Sequence, residues 1–166
     1  IIAEGISSTP QVPGRFEILS NGTRKVVIDY SHTPDSLEKT LMVIRNITEK
    51  KNPVYTVFGC GGNRDKLKRP LMGKIATELS DKVIVTSDNP RNENPSTIIE
   101  EIKSGITRDN YQVIEDREAA IEEAIKKSGK NSVILIAGKG HEDYQEIGGV
   151  RHHFSDREVA KKILGI

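Results

Sequence analysis

The run Val133-Ile134-Leu135-Ile136-Ala137 is the strongest constraint on what this chain can fold into. Successive side chains of a strand point to opposite faces, so a strand that is apolar at every position must be covered on both. A sheet clad in helices on both sides provides that cover. The sequence supplies the other layers in alternation. Strand patterns at 54–59, 82–87, 111–116 and 132–138 are separated by segments with apolar residues at helical spacing. Leu37, Leu41, Ile44 and Ile47 follow a Thr33 cap and Pro34 at the first helical position. Leu71, Ile75 and Leu79 mark a second helix, and Ile98, Ile99 and Ile102 a third. "REAAIEEAIKKSG" predicts a helix ending at Gly129, and "DREVAKKIL" a last one capped by Ser155 or Asp156. "RFEILSNGTRKVVIDY" (15–30) reads as two strands joined through Asn21-Gly22, a hairpin signal, and Gly148-Gly149 marks a possible second hairpin. The alternation implies right-handed crossovers and an α/β fold. Its sheet is mainly parallel with helices on both faces, and a short β-hairpin precedes it.

One domain suits 166 residues. Residues 1–14, rich in Ser, Pro and Gly, read as a linker, and 15–166 as the domain. The chain opens without Met, and reads as a piece of a longer protein. Lys+Arg 25 against Asp+Glu 24 leaves +1, which gives no electrostatic case for nucleic acid or a membrane surface. The apolar run at 133–137 falls far short of the ~20 residues that span a bilayer. The single Cys60 rules out an internal disulfide and fits a reducing cytoplasm.

In a parallel sheet, ligands bind beyond the carboxyl ends of the strands. Four of those ends are unusually polar: Asp29 with His32; Gly59-Cys60-Gly61-Gly62-Asn63-Arg64-Asp65; Asp88-Asn89-Pro90-Arg91; and Gly138-Lys139-Gly140-His141-Glu142. Each has a plain structural reading: a cap for Asp29, tight turns for the glycines, a turn initiator for Asn89-Pro90. Neither a G-x-x-x-x-G-K-[ST] loop nor a clean G-x-G-x-x-G is present. Lys66, Lys68 and Arg69 read as a solvated face, Cys60 as a small core filler, and His152-His153 as no metal site, lacking a spaced third ligand. The combination points further. Two guanidiniums (Arg64, Arg91) and two carboxylates (Asp88, Glu142) on one rim suit a zwitterion, since arginine grips carboxylates and acids grip an ammonium.

"PGRFE", "DYSHTPDSLEKTL", "VFGCGGNRDKLKRPLMG", "SDNPRNENP" and "AGKGHEDYQ" together resemble the C-terminal domain of the Mur ligases, most closely the branch that adds diaminopimelate. The resemblance runs from about Gly14 to the final helix. It implies a Rossmann-like domain of a cytoplasmic bacterial enzyme of peptidoglycan synthesis, and hence of cell-wall biogenesis, cell shape and division. That enzyme is an ATP-dependent amide ligase joining meso-diaminopimelate to UDP-MurNAc-L-Ala-D-Glu through an acyl phosphate. It also implies that Arg64, Asp88, Asn89, Pro90, Arg91, Gly138 and Glu142 contact diaminopimelate, and that Arg15, Asp29 and His32 face the nucleotide. ATP and Mg²⁺ would be held mainly by a central domain, and the UDP-sugar by an N-terminal one, neither present here. No catalytic residue and no metal ligand is expected in this domain, which by itself should be inactive. The alternatives are the lysine-adding ligase of the same family and a stand-alone amino-acid- or nucleotide-binding module.

Overall fold

The computed structural model describes residues 11–48 and 51–166. Six strands form one sheet: β1 (Glu17–Ser20), β2 (Lys25–Asp29), β3 (Val54–Phe58), β4 (Lys82–Val85), β5 (Tyr111–Val113) and β6 (Val133–Ala137). Their order is β1-β2-β6-β3-β4-β5; only β1 runs antiparallel to its neighbour. Helices α1 (Pro34–Ile47), α2 (Lys68–Leu79) and α3 (Pro95–Lys103) cover one face, and α4 (Arg117–Lys127) and α5 (Asp156–Leu164) the other. The α/β architecture expected from the alternation is therefore present.

The pleat explains the two cores. Val133, Leu135 and Ala137 of β6 pack under α1–α3, while Ile134 and Ile136 pack under α4 and α5. All five are buried, as a strand clad on both sides requires. Val27 on one side, with Val26 and Ile28 on the other, repeats the division in β2.

Local chemistry sets the helix ends. Thr33 and Ser36 form a reciprocal capping box on α1. Asn94, Asp116 and Ser155 each accept a backbone N–H at the starts of α3, α4 and α5. Helix α4 stops at Lys127, two residues before the predicted Gly129. Ser128 closes it with extended backbone, its Oγ donating to the Ile125 carbonyl, so no left-handed glycine is needed. The left-handed glycine cap occurs instead at Gly165, after α5. Asn21-Gly22 does not form a two-residue turn either. Ser20 pairs with Lys25 across a four-residue loop, in which Asn21 Oδ1 accepts from the backbone of Thr23 and Arg24. The second hairpin, β7 (Tyr144–Ile147) with β8 (Val150–His153), turns through Gly148 and Gly149, both at positive φ.

The linker expected at 1–14 lies outside the described residues over 1–10. Residues 11–14 lie against the domain: Gln11 Oε1 accepts from Ile18 N, and Gly14 is buried against the backbone of Gly140 and His141.

The chain steps from β3 to β5 with its crossover helices on one face, then returns through α4 on the other to insert β6 between β2 and β3. Connections leaving β6 thus diverge from those leaving β2 and β3, which opens a crevice at their carboxyl ends. Below it, buried Arg117 and Asp156 tie the starts of α4 and α5 together with hydrogen bonds of 2.8 and 2.9 Å. The same guanidinium donates to the Ala137 carbonyl at the end of β6. The floor of the crevice is therefore a braced one.

Candidate functional site

A cleft of about 450 Å³ occupies that crevice, within the size range of small-ligand sites. Four strand ends contribute to it, as the sequence suggested. Arg64, Asp88, Asn89, Arg91, Gly138, Glu142 and His32 all line it, and so do Tyr30 and Tyr144. Pro90, Arg15 and Asp29 do not. Pro90 lines a separate small cleft beside Pro95 and Gln145 and shapes the turn from behind.

The acidic half is built around a residue that sequence reasoning passed over. Lys139, fully buried, donates from Nζ to Asn89 Oδ1 at 2.8 Å and to the Tyr144 carbonyl at 2.7 Å. The same ammonium sits 3.2 Å from Asp88 Oδ1 and 3.6 Å from Glu142 Oε2. Asn89 is nearly consumed by these contacts. Its Oδ1 also accepts from Glu146 N, and its Nδ2 donates to Glu142 Oε2 at 2.9 Å. Gly138, at φ +117, lets the chain pass so close to Asp88 that a Cβ would lie 3.1 Å from Oδ2. The available signal for Lys139 was a cation directly following an all-apolar strand, flanked by two glycines.

The cationic half is held by loop-to-loop contacts. Arg91 adopts a left-handed conformation (φ 52°), uncommon for a side chain of its size. It pairs with the edge of β7: its N–H donates to the Glu146 carbonyl, and its own carbonyl accepts from Gly148 N. Its Nη1 donates to the Gly62 carbonyl at 2.8 Å, and Nε stands 3.6 Å from Glu146 Oε2. Gly62 N in turn donates to the Asn89 carbonyl at 2.8 Å. Arg64 is exposed, and its Nη1 lies 3.5 Å from the carbonyl of the adjacent Asn63.

Arg69 corrects an expectation. Placed by its neighbours on a solvated face, it is fully buried; only Lys66 is exposed, and Lys68 is half-buried with Nζ donating to the His32 carbonyl. The Arg69 guanidinium bonds Glu93 and Glu101 and donates to the Gly61 carbonyl at 3.1 Å. The carboxylates lie about 24 and 32 residues away in sequence, which is why a local reading missed them. Arg69 holds the Glu93 carboxyl at about 2, and a hydrogen bond from Asn63 N adds to the effect.

On the third side, Tyr30 packs against His32 and His141, with ring centroids 4.6 and 5.7 Å apart, and carries the Arg15 guanidinium 4.6 Å above its ring. Burial, then the nearby Glu142 carboxylate, raises the Tyr30 hydroxyl above the usual tyrosine value. Asp29 is turned inward. Its carboxylate accepts from Phe16 N at 2.8 Å, from Thr40 Oγ1 at 3.2 Å and from Ser31 Oγ. Cys60 lies in the core against Met72 Sδ, and burial pushes its thiol up to about 12, in keeping with a filler. Among the described residues, no three His, Cys, Asp or Glu side chains gather into a group able to hold a metal ion.

The family model described as "Mur ligase, glutamate ligase domain" matches residues 14–140. The chain belongs to the Mur ligase family. This Mur ligase domain is 47% identical over 166 residues to UDP-N-acetylmuramoyl-L-alanyl-D-glutamate–2,6-diaminopimelate ligase 1 of Clostridium acetobutylicum, a match covering 98% of this chain and 34% of that protein. It is 52% identical over 155 residues to the ligase of the same name from Aquifex aeolicus, covering 93% and 32%. A solved structure of such a diaminopimelate ligase aligns with a TM-score of 0.86 at 38% identity, over 98% of this chain and 33% of that one. The folylpolyglutamate synthase of Thermotoga maritima aligns at a TM-score of 0.59 and 26% identity, over 82% of this chain and 30% of that one. The Mur ligase domain spans about one third of the length of the curated relatives it matches.

Proposed function

We propose that this domain holds meso-diaminopimelate in a full-length ATP-dependent ligase that joins it to UDP-MurNAc-L-Ala-D-Glu. One observation carries the reading: a single cleft combines two guanidiniums, Arg64 and Arg91, with a carboxylate pair, Asp88 and Glu142. Diaminopimelate has an amino and a carboxyl group at each end of an apolar chain. Arg91 binds its distal carboxylate through the guanidinium hydrogens that Gly62 and Glu146 leave free, and Arg64 closes over the ligand from the exposed loop. Asp88 and Glu142 take an ammonium, Gly138 leaves room for the ligand beside Asp88, and Asn89 offers the one amide hydrogen it has left. Pro90 keeps the turn rigid, so less entropy is lost on binding. The names of the relatives, at about half identity over nearly the whole domain, support diaminopimelate as the amino acid.

In this reading ATP phosphorylates the side-chain carboxylate of D-glutamate, and a diaminopimelate amine displaces phosphate from the mixed anhydride to form the amide. The domain's residues bind and orient that amine, which accounts for much of the effective molarity of such a step, and closure over the cleft excludes water. Arg15 and His32, exposed beside Tyr30, face the nucleotide at the rim, and Asp29 acts through the backbone it holds. In this reading the ATP phosphates and Mg²⁺ are held mainly by the central part of the full-length ligase, and this domain closes over them from the side. Soluble nucleotide-linked and amino-acid substrates place the enzyme in the bacterial cytoplasm. The test is the amino-acid preference of the full-length ligase. A kcat/KM for diaminopimelate well above that for lysine supports the reading, and the reverse preference replaces it with the lysine-adding alternative.

A further inference from the structure

We propose that Lys139 is a positioning residue for the amino-acid substrate: out of the ligand's reach, its ammonium locks Asp88, Asn89 and Glu142 together and cancels one of their two negative charges. This rests on the reading that the cleft takes diaminopimelate.

Lys139 has no exposed surface, so a ligand in the cleft meets the groups it holds and not the lysine itself. An ammonium has three donors. Two go to neutral acceptors, Asn89 Oδ1 and the Tyr144 carbonyl. The third side of the nitrogen faces carboxylates on two different loops, Asp88 at 3.2 Å and Glu142 at 3.6 Å. A mere strut between the loop after β4 and strand β7 needs only the two neutral contacts. Bringing two carboxylates to one ammonium uses the charge, which offsets the repulsion between them. With Lys139 present the trio carries one net negative charge, the complement of a single ligand ammonium.

The experiment compares Lys139→Met and Lys139→Arg in the full-length ligase. Losing one partner of a buried charge cluster should raise the KM for diaminopimelate about tenfold or more in Lys139→Met. The KM for ATP should change by less than about twofold, since the link from this cluster to the nucleotide rim is the long 3.5 Å contact between Glu142 and the Tyr30 hydroxyl. Lys139→Arg restores the charge at the cost of packing, and should recover part of the diaminopimelate KM even if it melts no higher than the methionine variant. A parallel rise of both KM values, an unchanged diaminopimelate KM, or an arginine variant no better than methionine overturns the assignment. If Lys139→Met does not fold, Lys139→Gln takes its place. Failure of both neutral variants to fold, with or without the arginine variant, makes the lysine structural and overturns it as well. A wild-type enzyme that prefers lysine to diaminopimelate defeats the underlying reading instead, so the two failures are distinguishable.

Discussion

The buried Arg69 guanidinium holds both oxygens of Glu93, with Nη1 2.9 Å from Oε2 and Nη2 3.1 Å from Oε1. That pair fastens the loop after β3 to the loop after β4, because Glu93 Oε1 also accepts from Asn63 N and Arg69 also bonds the Gly61 carbonyl. The Glu93 carboxyl sits at about 2 when folded, against an ordinary 4.5. A depressed carboxyl contributes stability that is present above the unfolded value and is lost as pH falls toward the folded one. Stability should therefore decline between pH 4.5 and about 2 in part through this residue. Urea unfolding of the wild type and Glu93→Gln across that window checks it. The variant should be less stable at neutral pH, with a shallower acid decline. Parallel curves would show that other carboxylates carry the whole effect.

The family resemblance implies a nucleotide contact for Asp29, and its place at a strand end predicts exposure and little cost to stability on removal. Its three internal hydrogen bonds change the second half of that expectation. Phe16, whose N–H it accepts, is held at φ 48°, a conformation that needs such support. Asp29→Ala should lower unfolding free energy by about 1–3 kcal/mol, the usual cost of orphaning buried partners. Chemical denaturation of the variant measures this. A variant as stable as the wild type, with altered ATP kinetics alone, would return Asp29 to a purely nucleotide-facing role.

The fold was legible because its signals are local and periodic. A run such as Val133–Ala137 fixes cladding on both faces, and Thr33, Asn94 and Asp116 announce their helices within a few residues. Boundaries were less legible where a neighbouring side chain replaced the expected glycine, as Ser128 does at the end of α4. The candidate site was legible in outline, since the carboxyl ends of parallel strands converge by topology. Its internal wiring was not. Lys139 and Asn89 are 50 residues apart, and Arg69 and Glu101 are 32 apart. No spacing rule predicts which buried cation meets which acid. Tyr30 was missed for a similar reason, as its neighbours Arg15 and His141 come from opposite ends of the domain.

Arg91 carries the central claim, that this cleft distinguishes an amino acid with a distal carboxylate from one without. Its guanidinium also bonds the Gly62 carbonyl and approaches Glu146, so it could serve the loop alone. Kinetics of the full-length ligase with Arg91→Ala separate the two roles. Removing a hydrogen bond to a charged partner costs ~1.5–3 kcal/mol, roughly ten- to a hundredfold in an equilibrium constant. The kcat/KM for diaminopimelate should fall by such a factor while that for lysine hardly changes, and Arg91→Lys should recover only part, lacking the planar fork. An equal fall for both amino acids would contradict the account: Arg91 would then be holding the loop and not reading the substrate.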